Sequence, residues 1–242
     1  METQAVALVT GAGRGIGAAV AIRLAKAGAK VALVSRSEAQ LLQTKEAIQK
    51  ATGRSDLAFT FPGDLGELGF VEALISEVWR KLGPVTWLVN NAAVARLEPV
   101  TGVEAASLDE TWRVNVRAPF LLSRDLLRKY RETGTRGGAI VNLASLGGLS
   151  GTSKFKGLSA YGMSKFAVVG MTESMAVEGR ELGIRVNCVA PGAVDTEMLR
   201  KAAPHLKTET LPEHVAEVIY SLCDETRSAC VTGATLPIHS NL

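Results

Sequence analysis

The stretch Val6-Ala-Leu-Val-Thr10-Gly-Ala-Gly-Arg-Gly15-Ile-Gly17 decides the fold. An apolar run on successive residues marks a strand covered on both faces, as in a parallel sheet flanked by helices. A glycine-rich turn follows, and a helical pattern over Ile16–Ala27 comes after it. The glycines read T-G-x-x-x-G-x-G on Gly11, Gly15 and Gly17, not G-x-G-x-x-G, but the physics is shared. A turn without Cβ atoms lets a pyrophosphate approach the backbone, and the helix start offers free N–H groups and a positive dipole end. The alternative is a glycine-rich turn that holds nothing.

Outward from this unit the pattern repeats. Apolar runs at Val31–Ser35, Leu57–Phe61, Trp87–Asn90, Ala139–Leu143, Val186–Ala190 and Ala234–Pro237 alternate with helical patterns at Glu38–Ala51, Phe70–Leu82, Leu108–Tyr130, Tyr161–Leu182 and Glu213–Cys223. Gly28, Gly53, Gly83, Gly134 and Gly183 each follow a helical run, where a positive-φ stop is expected. Pro119 falls inside the fourth helical pattern and should kink it or cost it a hydrogen bond. The alternation predicts an α/β, doubly wound, Rossmann-like parallel sheet of about seven strands with helices on both faces. With no linker or repeat in view, residues 1–242 read as one domain.

Bulk properties narrow the function. The chain has 242 residues, 47% hydrophobic and 21% charged, which suits an enzyme with a large core. A net charge of +3 is too small to argue for nucleic acid. Cys188, Cys223 and Cys230 form no C-x-x-C pair and read as reduced, mostly buried thiols. His205, His214 and His239 lack metal-ligand spacing, so no metal site is expected. Met1-Glu-Thr-Gln4 leads straight into the first strand without the charge and apolar pattern of a signal peptide, and no apolar run is long enough to span a bilayer. A cytoplasmic location is the expectation.

The end of the second strand chooses the dinucleotide. Where an NAD site places an acid about 20 residues beyond the glycines, this chain has Ser35-Arg36-Ser37. A carboxylate would repel a 2′-phosphate; a hydroxyl and a guanidinium would hold it with charge-assisted bonds worth about 1.5–3 kcal/mol each. Arg14 could approach the same phosphate from the glycine turn. The expectation is NADP (NADPH) in preference to NAD; the alternative is that both arginines are solvated surface charges.

Tyr161 and Lys165 stand four apart, on one helix face. A phenol titrates near ~10. A cation at ~4 Å in an effective dielectric of ~20 supplies about 4 kcal/mol, enough to lower that by about three units. Tyr-x-x-x-Lys can then do acid/base work on an alcohol or carbonyl.

Together the glycine turn Thr10–Gly17, Asn90-Asn91-Ala92-Ala93, Asn115, Ser145, Tyr161, Lys165 and Pro191-Gly192…Thr196 resemble, in type and order, the short-chain dehydrogenase/reductase family, with 3-oxoacyl-[acyl-carrier-protein] reductase-like members in view. The resemblance implies an NADPH-dependent oxidoreductase that reduces a ketone to a secondary alcohol. Tyr161 would be the general acid, Lys165 would lower its pKa and bind the nicotinamide ribose, Ser145 would polarise the substrate oxygen, and Asn115 would hold a relay water. Asp64 and Leu65 would meet adenine, and Asn91 and Ala92 the adenosine ribose. Gly11, Arg14, Gly15, Ile16, Gly17, Ser35 and Arg36 would hold the phosphates. Pro191, Gly192, Val194 and Thr196 would meet the nicotinamide. Plainer readings stand beside these: Asn115 as a helix residue bonding backbone, Ser145 as a loop cap, Asp64 as a turn former.

The chain also departs from the family. The span from Ser145 to Tyr161 is longer, through Gly151-Thr-Ser-Lys-Phe-Lys-Gly157, which should border the substrate pocket. The lid around 197–211 is short, and Leu236-Pro-Ile-His-Ser-Asn241 replaces the usual Asp-Gly-Gly. Arg124, Arg128, Lys129 and Arg131 could meet an acidic acyl-carrier protein or simply complement a helix end. Trp112, Phe120, Met163, Phe166, Ala167, Met171 and Met175 cover more helix faces than one core contact needs, and the resemblance implies that these helices pack against their copies in a homodimer or homotetramer. A 3-oxoacyl thioester is the first substrate expectation. The alternatives are a sugar, steroid or small-alcohol dehydrogenase, or a non-catalytic dinucleotide sensor.

Overall fold

A computed structural model describes residues 4–202 and 205–240. Seven strands lie at Val6–Thr10 (β1), Lys30–Ser35 (β2), Ala58–Pro62 (β3), Trp87–Asn90 (β4), Gly138–Leu143 (β5), Ile184–Pro191 (β6) and Thr235–Ile238 (β7). They form one sheet in the order β3-β2-β1-β4-β5-β6-β7, every pair parallel. The strand order reverses between β1 and β4. In such sheets the crevice beyond the carboxyl ends at this switch point is where ligands bind.

The helices are α1 (Gly15–Lys26), α2 (Glu38–Thr52), α3 (Leu68–Leu82), α4 (Ala105–Trp112), α5 (Ala118–Thr133), α6 (Ser159–Gly179), α7 (Glu197–Ala202), α8 (Pro212–Cys223) and the short α9 (Glu225–Ser228). None of the described helices is long and apolar enough to cross a membrane. β1 shows how the two cores form. Val6 and Leu8 pack with residues of α3, α5 and α6, while Ala7 and Val9 pack with residues of α1, α2 and α8. Every residue of β1 is buried, as a strand covered on both faces requires. The five glycines that follow helical runs all have positive φ.

The fourth helical pattern is two helices rather than one. α4 ends at Trp112, a π turn runs over Arg113–Arg117, and α5 begins with Pro119 in its first turn. Proline has no N–H to donate, so it is tolerated at a helix start. The Ala118 N–H reaches back to the Arg113 carbonyl, which widens the turn ahead of the ring. Asn115 sits inside this wide turn, and such bulges often mark functional sites.

One polar row crosses the core facing α5 and α6. Asn90 pairs in register with Asn142, Asn142 with Cys188, and Cys188 with Thr235. The Asn90 amide donates to Asn142 Oδ1 (2.8 Å) and to Ser123 Oγ (3.2 Å) on α5; the Asn142 amide donates to Thr172 Oγ1 (2.9 Å) on α6.

Candidate active site

A cleft of about 2000 Å³ lies over the carboxyl edge of the sheet. Gly11, Arg14, Gly15, Ile16, Gly17, Ser35, Arg36, Asp64, Leu65, Asn91, Ala92, Ser145, Tyr161, Lys165, Pro191, Gly192, Val194 and Thr196 all line it; of the expected site residues, Asn115 alone does not. Positions 203 and 204 of the expected lid, and Asn241, lie outside the described residues.

The glycine turn is built for close approach. A Cβ on Gly17 would stand 2.2 Å from the Gly11 carbonyl oxygen and 2.5 Å from Asn91 Nδ2. Asn91 braces this turn: its amide donates to the Thr10 carbonyl at 2.8 Å, and Thr10 Oγ1 accepts the N–H groups of Asn91 (3.0 Å) and Ala92 (3.1 Å). α1 begins without a side-chain cap, so its first N–H groups are left for a ligand. A cradle with no room for a Cβ at Gly11, Gly13 or Gly17 and an uncapped helix start fit a dinucleotide pyrophosphate.

Beyond the second strand, Arg36 Nη1 stands 4.0 Å from Asp64, and Ser35 Oγ donates to the Ser37 carbonyl (3.3 Å). Asp64 Oδ1 also accepts the Gly66 N–H at 2.8 Å, a turn-forming bond beside its place in the cleft. Arg14 points elsewhere than expected. It pairs with Glu197 at 2.5 Å, joining the glycine turn to the first residue of α7, and Glu197 also takes Lys201. Thr196 Oγ1 accepts the Leu199 N–H (3.2 Å), so this residue also caps α7.

At the other end Tyr161 and Ser145 both line the cleft. Ser145 Oγ accepts the Gly147 N–H (3.2 Å), which orients the hydroxyl as a cap and leaves its own proton to donate. Lys165 is buried and donates to the Leu143 carbonyl at 2.6 Å. Its Nζ lies 5.6 Å from the Tyr161 ring centre. The expected depression of the Tyr161 pKa is reversed: burial pushes the phenol up to about 12, against a smaller lowering by Ser145. Lys165 is itself pushed down to about 8 by burial. Desolvation is the larger cause for both groups, Lys165 being buried outright and Tyr161 half-buried in the cleft wall.

Asn115 is a clamp. Its Oδ1 accepts the Val94 N–H (2.8 Å), and its amide donates to the Val94 carbonyl (2.9 Å) and to Ser164 Oγ (3.0 Å). Ser164 in turn donates to the Tyr161 carbonyl (2.7 Å). The side chain therefore ties the loop after β4 to the start of α6.

Sequence reasoning missed three contributors. Gly13 has Ser35 Oγ and Gln40 where its Cβ would be, so it sets the spacing between the glycine turn and α2. Ser240 Oγ accepts the Ala193 N–H (3.1 Å), and the Gly192 N–H donates to the Ile238 carbonyl (2.9 Å), which brings the unusual C-terminal segment into the cleft. Loop 151–156 lines the cleft as expected. The cations Arg124, Arg128 and Lys129 pair with Glu72, Asp125 and Glu132 nearby.

Residues 5–207 match the family model described as short chain dehydrogenase. Levodione reductase of Leifsonia aquatica is 35% identical over 216 residues, covering 89% of this chain and 78% of the relative. A crystal structure of levodione reductase superposes with a TM-score of 0.88 at 31% identity, over 98% of this chain and 96% of that one. An actinorhodin polyketide ketoreductase solved with NADPH gives 0.86 at 32% identity, over 98% and 97% of the two chains. With more than half its length matched by the model, and with relatives of this identity and coverage, the chain belongs to the short chain dehydrogenase family of oxidoreductases.

Proposed function

We infer that this protein is an NADPH-dependent reductase that converts a ketone to a secondary alcohol. The observation that carries the reading is the convergence of Tyr161, Ser145 and Lys165 on the same cleft as the glycine cradle. The dinucleotide, when bound along Gly11–Gly17 with its ring near Gly192–Thr196, supplies the hydride. Ser145 directs its hydroxyl at the carbonyl oxygen and Tyr161 gives that oxygen its proton. The protonated phenol is the form burial favours, which suits a general acid in the reduction direction. Lys165 holds a proton behind Tyr161 below pH about 8. Asn115 is a positioning residue that fixes the start of α6 through Ser164. The whole chain acts as one dinucleotide-binding unit, with 197–211 as a short lid.

Three of the four α5 cations, Arg124, Arg128 and Lys129, spend their charge on neighbouring carboxylates, which supports a small carbonyl substrate over one carried on an acidic acyl-carrier protein. A 3-oxoacyl thioester without its carrier stays within the reading. Trp112 and Phe120 are exposed on α4 and α5, which supports pairing of copies through these helices. Following NADPH absorbance with a ketone panel that includes an acetoacetyl thioester and a quinone tests the reading; consumption by none of them would defeat it.

NADP preference rests on Arg36. Changing Arg36 to Asp removes a charge-assisted bond to the 2′-phosphate and sets a carboxylate against it. The kcat/KM ratio of NADPH to NADH should fall by ~10–100-fold, the equivalent of about 1.5–3 kcal/mol. An unchanged ratio would refute the assignment.

A further inference from the structure

We propose that the loop 151–157 makes an anion subsite at the mouth of the cleft, and that the substrate is a ketone carrying a carboxylate at the far end of an apolar body. The inference rests on the ketone-reductase reading and names its substrate class.

The charges of the cleft are unevenly divided. Its acidic residues are Asp64, Asp195 and Glu197. Each is within ion-pair distance of a cation: Arg36 for Asp64, Arg200 for Asp195, Arg14 and Lys201 for Glu197. Lys154 and Lys156 line the same cleft, and neither has a carboxylate partner among the described residues. This wall therefore carries two uncompensated positive charges, which draw anions towards the opening.

The loop is held in place rather than left loose. Thr152 Oγ1 donates to the Leu149 carbonyl at 2.9 Å, and the Gly157 carbonyl accepts the Glu98 N–H at 2.8 Å. Lys154 Nζ donates to Thr152 Oγ1 (2.8 Å) and to the Leu149 carbonyl, and lies 4.9 Å from the Phe166 ring centre. An ammonium has three donors, so Lys154 keeps one and Lys156 has all three. The same cleft is also lined by the apolar side chains Leu146, Phe155, Leu158 and Phe166, the last of them beside Lys154. A body that buries against these side chains, with a carboxylate at the lysines and a ketone at Tyr161, fits both halves.

The test compares levulinate and benzoylpropionate with their methyl esters, using NADPH consumption by the intact chain. The acids should be preferred in kcat/KM, and added salt should shrink that preference. Lys154 clasps the loop, so Lys156 is the position to change. Lys156→Glu should lower the acid-to-ester ratio about fivefold or more, since an exposed ion pair is worth up to about that factor and the change also adds repulsion. Lys156→Arg should keep the ratio. Esters reduced as well as acids, or a ratio indifferent to Lys156→Glu, would overturn the subsite while leaving the reductase reading intact. No turnover of any ketone would defeat the reductase reading, and the subsite with it.

Discussion

Tyr161→Phe should lower kcat for ketone reduction by ~10²–10⁴-fold, the range expected when a general acid is removed, with a far smaller effect on NADPH affinity. The substitution keeps the ring that packs beside Lys165 and removes only the hydroxyl. The pH profile carries a second signature. A lysine held at about 8 is charged below that pH and neutral above it. Reduction needs a proton behind the phenol, so wild-type kcat/KM should fall as pH rises through about 8. Tyr161, held near 12, stays protonated across this window and does not shape the limb. Lys165→Arg should move the limb to higher pH. Near-full activity in Tyr161→Phe would remove the acid role altogether.

Gly17→Ala should be nearly as damaging, by a different route. The new methyl would meet the Gly11 carbonyl at 2.2 Å and Asn91 Nδ2 at 2.5 Å. Neither neighbour is the loose end of a side chain. One is backbone at φ 67°, and the other is held on the Thr10 carbonyl. Forcing an atom into such a site costs about 1–3 kcal/mol. If the glycine turn opens to take the methyl, dinucleotide Kd should rise ~5–150-fold, the same energy expressed as affinity. Fluorescence titration and a thermal melt read the two effects. Gly69→Ala on α3, where a Cβ meets nothing within 4 Å, is the control and should melt no lower than wild type. If Gly17→Ala binds and melts like the control, the close approach is not what the turn is for.

Most of the strands were legible because they are apolar on consecutive residues, as strands covered on both faces are. The glycine turn and Tyr161, Ser145 and Lys165 were legible because their chemistry restricts the residue types. What was not legible depends on where long side chains go. Nothing in the spacing of Arg14 tells that its guanidinium crosses to Glu197, 183 residues on. The raised pKa direction of Tyr161 comes from its partial burial in the cleft wall, which no residue spacing encodes. Asn115 reads alike as a polar helix residue or a water ligand until Val94 and Ser164 are seen on its amide. The break at Trp112 was only half visible. Pro119 announced a disturbance but not that the chain would absorb it one turn earlier.

The in-register line Asn90, Asn142, Cys188, Thr235 bears on how the sheet assembles. Strands that are greasy on both sides give little reason to prefer one alignment over its neighbours, because a slip by one residue simply trades one oily surface for the other. The asparagines remove that degeneracy. A slipped β5 would turn the Asn142 amide towards Val9, Val141 and their apolar neighbours, away from Asn90 and Thr172, and each stranded amide would cost about 1–3 kcal/mol. Mispaired sheets are thereby penalised at the centre, next to the strands that carry Ser145 and Gly192 to the rim.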